Sequence, residues 1–150
     1  MDTEEDIKVY LDNCCFNRPY DNQEHFSIKL ETEAKLHIQE MIKEEKVILI
    51  WSFILDYENS ANQGSSKRNS IYEWAGYASN YISYNEDILK LSKQNLNLGF
   101  GKKDSIHLAC AITGQSDYFI TVDKGILNKK QSVSKIKVID PISFIRILED

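Results

Sequence analysis

Ile7-Lys8-Val9-Tyr10-Leu11-Asp12 is an apolar run that ends on a carboxylate. Its length, its β-branched residues and the polar, turn-rich stretch over residues 12–22 that stops it predict a short buried strand. Three similar runs follow, Val47-Ile48-Leu49-Ile50-Trp51, Tyr118-Phe119-Ile120-Thr121 and Ile136-Lys137-Val138-Ile139. Helical patterns separate them. Phe26, Leu30, Ala34, Ile38, Met41 and Ile42 recur at three- and four-residue spacing and predict one apolar stripe on a helix over 24–45. Ser52 is placed to cap a helix carrying Phe53, Ile54, Tyr57 and Ala61. Residues 62–69 read as a loop, 70–84 as an aromatic-rich helix and 86–95 as another helix. Gly99-Phe100-Gly101 breaks the chain, and a helix opens near Lys103-Asp104. A short helical turn is expected over 123–128. Asp140-Pro141 starts a last helix, with proline at the first position, where a missing N–H costs nothing. Strands alternating with helices predict a parallel sheet covered on both faces. Ligands of such sheets sit beyond the carboxyl ends of the strands.

The 150 residues suit a single domain with a substantial core, and 42% hydrophobic and 27% charged residues are ordinary for a globular protein. Six Gly and two Pro exclude a collagenous or Pro/Gly-rich disordered chain. A formal net charge of -5 argues against a broad basic face for phosphate binding, so any cationic contact surface must be local. Cys14, Cys15 and Cys110 form neither a disulfide framework nor a zinc spacing, and read as small packing residues of a reducing cytoplasm. The opening MDTEED is acidic, unlike the basic start and apolar stretch of a secretory leader. No apolar run approaches the roughly 20 residues that cross a bilayer, and a soluble, cytoplasmic protein is expected.

Carboxylates collect where these strands end. Asp12 directly follows Leu11, and Asp123 lies two residues after Thr121, so parallel strands bring both to one sheet edge. Glu58 lies six residues after Ser52, and Asp104 falls in the first turn of its helix. Each has an ordinary alternative. Asp12 can cap a turn, Asp104 can complement a helix dipole, Glu58 can face solvent, and Asp123 can be an N-cap. Composition and periodicity do not join the four. If they do gather, their repulsion requires a compensating cation, since two unit charges about 4 Å apart cost roughly 1 kcal/mol in water and several-fold more near a protein surface. Hard oxygen donors without soft ones select Mg²⁺ or Mn²⁺. The reaction class that fits is phosphodiester hydrolysis.

The joined pattern resembles the PIN-domain family of nucleases, including the VapC-type toxins. Val9-Tyr10-Leu11-Asp12-Asn13 matches the family's strand ending in its first acidic residue, and the continuation to Asp21 is similar to a prokaryotic subgroup. In Ser52-Phe53-Ile54-Leu55-Asp56-Tyr57-Glu58, Glu58 matches the helical glutamate better than its neighbour Asp56 does. Lys103-Asp104-Ser105-Ile106-His107-Leu108-Ala109-Cys110-Ala111 is the most specific segment, with Ser105 where the family usually has Ala. Phe119-Ile120-Thr121-Val122-Asp123 carries the Thr-x-Asp motif. The match spans nearly the whole chain.

What the resemblance implies is one domain over residues 1–150. Its fold would be a three-layer, PIN-like α/β fold with a central, mostly parallel sheet of four or five strands flanked by helices. Its activity would be that of a Mg²⁺- or Mn²⁺-dependent endoribonuclease acting on single-stranded or structured RNA, as the toxin of a toxin–antitoxin pair. The implied metal and catalytic set is Asp12, Glu58, Asp104 and Asp123. Asp12 and Asp104 would be principal ligands, Glu58 would act on water and Asp123 would complete the site, with Asn13 and Thr121 assisting. His107 reads as a packing or hydrogen-bonding residue, not a base. Arg18, Lys102 and Lys103 neighbour the proposed ligands and are candidates for RNA phosphate contact, or else plain solvated charges. An antitoxin protein and a second copy of the chain are the implied protein partners. The alternative on the same fold is a catalytically silent binding module. A signalling receiver domain is a poorer match, because Asn13 stands where a second acid belongs and no Lys-Pro is present.

Overall fold

Val9, Tyr10 and Leu11 are wholly buried, as expected of a strand with neighbours on both edges and helices on both faces. In the computed structural model, which describes residues 6–150, this strand is β1 (Ile7–Leu11). The acidic opening that speaks against a leader falls mostly in residues 1–5, outside the described residues.

After β1 come α1 (Asn13–Asn17), α2 (Phe26–Lys43), β2 (Val47–Ser52), α3 (Phe53–Ser60), α4 (Ser65–Tyr72), β3 (Asn80–Ile82), α5 (Glu86–Asn97) and α6 (Lys102–Thr113). The chain then forms β4 (Tyr118–Ile120), α7 (Lys124–Leu127), β5 (Lys137–Ile139) and α8 (Pro141–Glu149). The sheet has five strands in the order β3-β2-β1-β4-β5, every neighbour parallel. The chain winds outward from β1 to β3 and then returns to the other side of β1. The β1/β4 boundary is therefore the switch point, where open α/β sheets leave a crevice.

Two helical layers follow from strand alternation. Tyr10 and Phe119 are register partners with stacked rings, and the Tyr10 hydroxyl reaches His107 of α6. The preceding pair, Val9 and Tyr118, points to the opposite face, where the Tyr118 ring packs on Phe144 of α8. Helix α5 packs on α6, and α2 packs on α8.

Several local expectations are revised. The stretch after Asp12 is helical, because Asp12 caps α1 and a 3₁₀ turn over Arg18–Tyr20 follows. The expected loop over 62–69 contains most of α4. Its Ser- and Asn-rich sequence is held by tertiary bonds, with Asn59 Nδ2 donating to the Arg68 carbonyl and Arg68 donating to the Asn62 carbonyl. The expected aromatic helix over 70–84 is instead the end of α4, a 3₁₀ turn and β3. This edge strand is three residues long and buries only Ile82, too little alternation to stand out among aromatics at helical spacing. Asp56 secures this edge by accepting from Trp51 Nε1 at 2.8 Å and from the Tyr81 hydroxyl at 2.6 Å.

The α2 stripe is rotated from its expected position. Ile38 and Ile42 are buried together with Thr32, Lys35 and Gln39, while Phe26 is 73% exposed. Lys35 is the unfavourable member of the buried face. Its ammonium lies 5.5 Å from the centre of the Phe16 ring, and burial lowers its pKa from 10.5 to about 8. At pH 7 Lys35 is charged in both folded and unfolded chains, so the desolvation cost is fully present. Above pH 8 the folded chain loses this proton first, and the cost fades until the unfolded chain titrates near 10.5. Lys35→Met is expected to raise stability at pH 7 by about 2 kcal/mol. The advantage should shrink toward pH 10.5 in paired urea denaturations. An advantage of unchanged size across that range would exclude a buried charge as its source.

Candidate active site

Asp12 stands at the switch point. Its backbone N–H donates to the Ile120 carbonyl at 2.9 Å, extending the β1–β4 ladder by one residue. The carboxylate is almost fully buried and well supplied with donors. Oδ1 accepts from the Asn13 backbone N–H at 2.8 Å, and Oδ2 accepts from Thr121 Oγ1 at 2.8 Å and from Cys14 Sγ at 3.4 Å. Thr121 Oγ1 also accepts from the Asp123 backbone N–H at 3.0 Å. One buried hydroxyl thus ties together the two acidic residues that follow β1 and β4. Cys14 escaped the sequence reading as a neighbour of this pair, since nothing in a lone thiol's spacing indicates its contacts.

Asp123 caps α7, with Oδ1 accepting from the backbone of Gly125 at 2.7 Å and Ile126 at 3.3 Å. Asp104 lies in the first turn of α6, half-buried. Its pKa is pushed from 3.8 to about 6, chiefly by burial and then by the Asp12 and Asp123 carboxylates, with a smaller contribution from Glu58. The His107 ring works in the opposite direction. All four proposed acidic residues are thus electrostatically coupled at Asp104.

Glu58 reaches the cluster from α3, and Oε1 is hydrogen-bonded to His107 Nε2. The other His107 nitrogen, Nδ1, meets the Tyr10 hydroxyl at 2.7 Å, and Tyr10 meets Ser52 Oγ at 2.6 Å. His107 Nε2 also stands 3.8 Å from Asp12 Oδ1. Burial opposes the imidazolium, but the Glu58 hydrogen bond and the Asp12, Glu58 and Asp104 carboxylates outweigh it and hold the ring's pKa above its usual value. His107 is therefore a hydrogen-bonding residue in contact with the cluster.

Among the described residues, no three His, Cys, Asp or Glu side chains converge as a ready metal-binding group. Glu58 is drawn toward His107, and Asp123 Oδ1 is committed to its cap. Asn13 Oδ1, next in sequence to Asp12, is a buried acceptor that finds no hydrogen-bond partner among the described residues. The cationic candidates separate. Lys103 Nζ lies 4.0 Å from Glu58 Oε2 and above the Tyr57 ring. Lys102 borders an apolar groove of about 340 Å³ with Phe53, Tyr84 and Ile106. Arg18 is ion-paired with Asp21 at 2.9 Å and Glu31 at 3.2 Å, so its guanidinium is engaged within the fold.

No protein-family model matches the chain, and no curated protein matches it. Solved structures do. FitAcB from Neisseria gonorrhoeae superposes with a TM-score of 0.56 at 16% identity, covering 89% of this chain and 97% of that one. VapBC2 from Rickettsia felis, bound to a DNA fragment from their promoter, superposes with a TM-score of 0.55 at 12% identity, covering 89% and 98%. At such identities the likeness is one of fold, and over nearly its whole length the chain has the three-layer, PIN-like α/β architecture.

Proposed function

We propose that this chain is a divalent-metal-dependent endoribonuclease and the toxin of a toxin–antitoxin pair. What supports the reading is the position of Asp12 and Asp123 at the carboxyl ends of β1 and β4, tied by the Thr121 hydroxyl, with Glu58 bonded to His107, whose Nε2 stands 3.8 Å from Asp12 Oδ1. Burial first, and then the Asp12, Asp123 and Glu58 carboxylates, raise the pKa of Asp104. A fold gains nothing in stability from such repulsion, and a bound cation removes it. The donors fit Mg²⁺ or Mn²⁺: they are carboxylate oxygens, with the unpartnered Asn13 Oδ1 beside them. Asp12 and Asp104 would hold the ion, Asp123 would complete the set, and Asn13 and Thr121 would orient it. Bound there, the ion would make water a better nucleophile and neutralise charge on the phosphate. Glu58 would accept the proton of the attacking water. Lys103 is the cation best placed to meet an RNA phosphate, with Lys102 and Arg18 farther along the same reading.

The structural likeness to VapBC2 agrees in name with the VapC-type toxins that the motifs resemble, which supports an antitoxin as partner. A second copy of the chain is a further proposed partner. Among the described residues no helix is long and apolar enough to cross a membrane, and the RNA substrate places the protein in the cytoplasm under this reading. A second reading, a silent PIN-fold binding module, is favoured by the absence of a converged three-ligand group among the described residues. Calorimetric titration with Mn²⁺ separates the two, because the silent module would bind none.

The direct test is cleavage of single-stranded RNA with Mg²⁺ or Mn²⁺. Asp104→Asn is expected to lower the rate by more than about 100-fold, beyond the usual effect of losing a supporting residue. Cleavage that persists in the variant, or in excess EDTA, would sink the assignment.

The same substitution has an opposite effect on the metal-free fold. The folded pKa of Asp104 is about 6 against 3.8, so the stability held by its protonated form is lost as pH rises through 6. Asp104→Asn should therefore stabilise the metal-free protein at pH 7, by about 1–2 kcal/mol after discounting for solvent screening. The gain should vanish near pH 4. Thermal midpoints across pH 4–8 in EDTA would show it, and a destabilised variant at pH 7 would contradict the crowding.

A further inference from the structure

We infer that His107 is a positioning residue for Glu58, anchored through Tyr10 to β1 and through Ser52 to the end of β2. The inference rests on the ribonuclease reading above and names a device inside that site. It starts from a difference among the acidic residues. Asp12 is held by a backbone N–H and the Thr121 hydroxyl, and Asp123 by two backbone N–H groups. Glu58 has no such anchor. It lies well inside α3 on a long, flexible side chain, and its hydrogen bond is to His107.

The proton arrangement follows from what each group can do. Ionised Glu58 only accepts, so His107 Nε2 carries the hydrogen whatever the charge of the ring. In the neutral ring Nδ1 is then an acceptor, and the Tyr10 hydroxyl donates to it. Tyr10 Oη in turn accepts from the Ser52 hydroxyl, whose oxygen accepts from the Leu55 backbone N–H at 3.4 Å as the cap of α3. Every link of this chain before Glu58 is buried, and Tyr10, Ser52 and His107 are each at most 1% exposed. The ring cannot rotate without breaking a bond at both ends. Glu58 Oε1 is thereby fixed, and Oε2 is the oxygen left on the Lys103 side. The short sequence runs around Tyr10, Ser52 and His107 thus serve one purpose, holding the carboxylate that acts on water.

Two measurements test this. In metal-free protein, imidazole ¹⁵N–¹H correlation spectra of His107 should show hydrogen on Nε2. Glu58→Gln should shift that signal and Tyr10→Phe should shift Nδ1. A ring bearing its hydrogen on Nδ1 alone, or indifferent to both substitutions, overturns the proposal even if the protein cleaves no RNA. In RNA cleavage, His107→Leu should lower kcat by about 10- to 100-fold with KM nearly unchanged, and His107→Gln, which keeps a donor, should recover part of the loss. Added to Glu58→Gln, His107→Leu should cost little more. A full additional loss in that background shows that His107 does not act through Glu58, while wild-type protein inert toward RNA overturns the ribonuclease reading and leaves the spectroscopic test standing.

Discussion

The pairing of β1 with β4 is the contact on which everything else depends. It joins residues more than a hundred positions apart, with Thr121 donating to Asp12 across a sequence separation of 109. It also places the carboxyl ends of two buried strands side by side. Without it Asp12 would lie at an open edge, the Thr121 hydroxyl would have no acidic partner, and Asp123 would cap α7 far from the other carboxylates. The parallel register matters as much as the pairing itself. Leu11 faces Ile120, so the residues that follow each strand emerge at one level above the sheet. The crevice at the switch point then follows from topology, and α6 supplies Asp104 and His107 over it.

Where segments are long, apolar or capped, the fold was legible from residues alone. The runs that became β1, β2, β4 and β5 carry several buried β-branched or aromatic side chains each, and Ser52, Asp123 and Asp140 cap their helices as their chemistry suggests. Illegible were the places where tertiary contacts decide. β3 owes its extended form to pairing with β2, and α4 to hydrogen bonds from Asn59 and to Asn62. On α2 the apolar count chose the wrong edge of the stripe, because Lys35 and Gln39 are buried where a pattern reader expects leucine. At the site, strand ends explained Asp12 and Asp123, whereas only the motif resemblance joined Glu58 and Asp104 to them. The Ser52–Tyr10–His107 connection is invisible in sequence, since its members lie on three segments and each passes for an ordinary core residue.

The molecule accepts unfavourable electrostatics in two places with different meanings. Lys35 is a single buried cation beside an aromatic ring, away from the acidic cluster, and it weakens the fold without an evident chemical return. The carboxylates around Asp104 weaken it collectively, at the position where the topology leaves room for a ligand. Repulsion of the second kind, unlike a lone buried cation, is of the sort that ligand sites impose on a fold. The net charge of -5 fits this view, because part of it is concentrated where a cation can neutralise it. Lys103, whose ammonium lies 4.0 Å from Glu58 Oε2, is exposed at the rim and not buried among the acids.

The long reach of the β1–β4 pairing also bears on when the protein acquires its chemistry. During synthesis Asp12 leaves the ribosome early, while Asp104, the partner strand β4 and Asp123 all come late in the chain. Closing so large a loop is slow, and domains complete themselves only once all their strands are available. A nascent or prematurely terminated chain that stops before β4 lacks the second wall of the crevice, the Thr121 hydroxyl that bonds Asp12, and Asp123. The order of strands along the polypeptide therefore acts as a timer: the β1–β4 crevice and the carboxylates beside it come together only after β4 has been made.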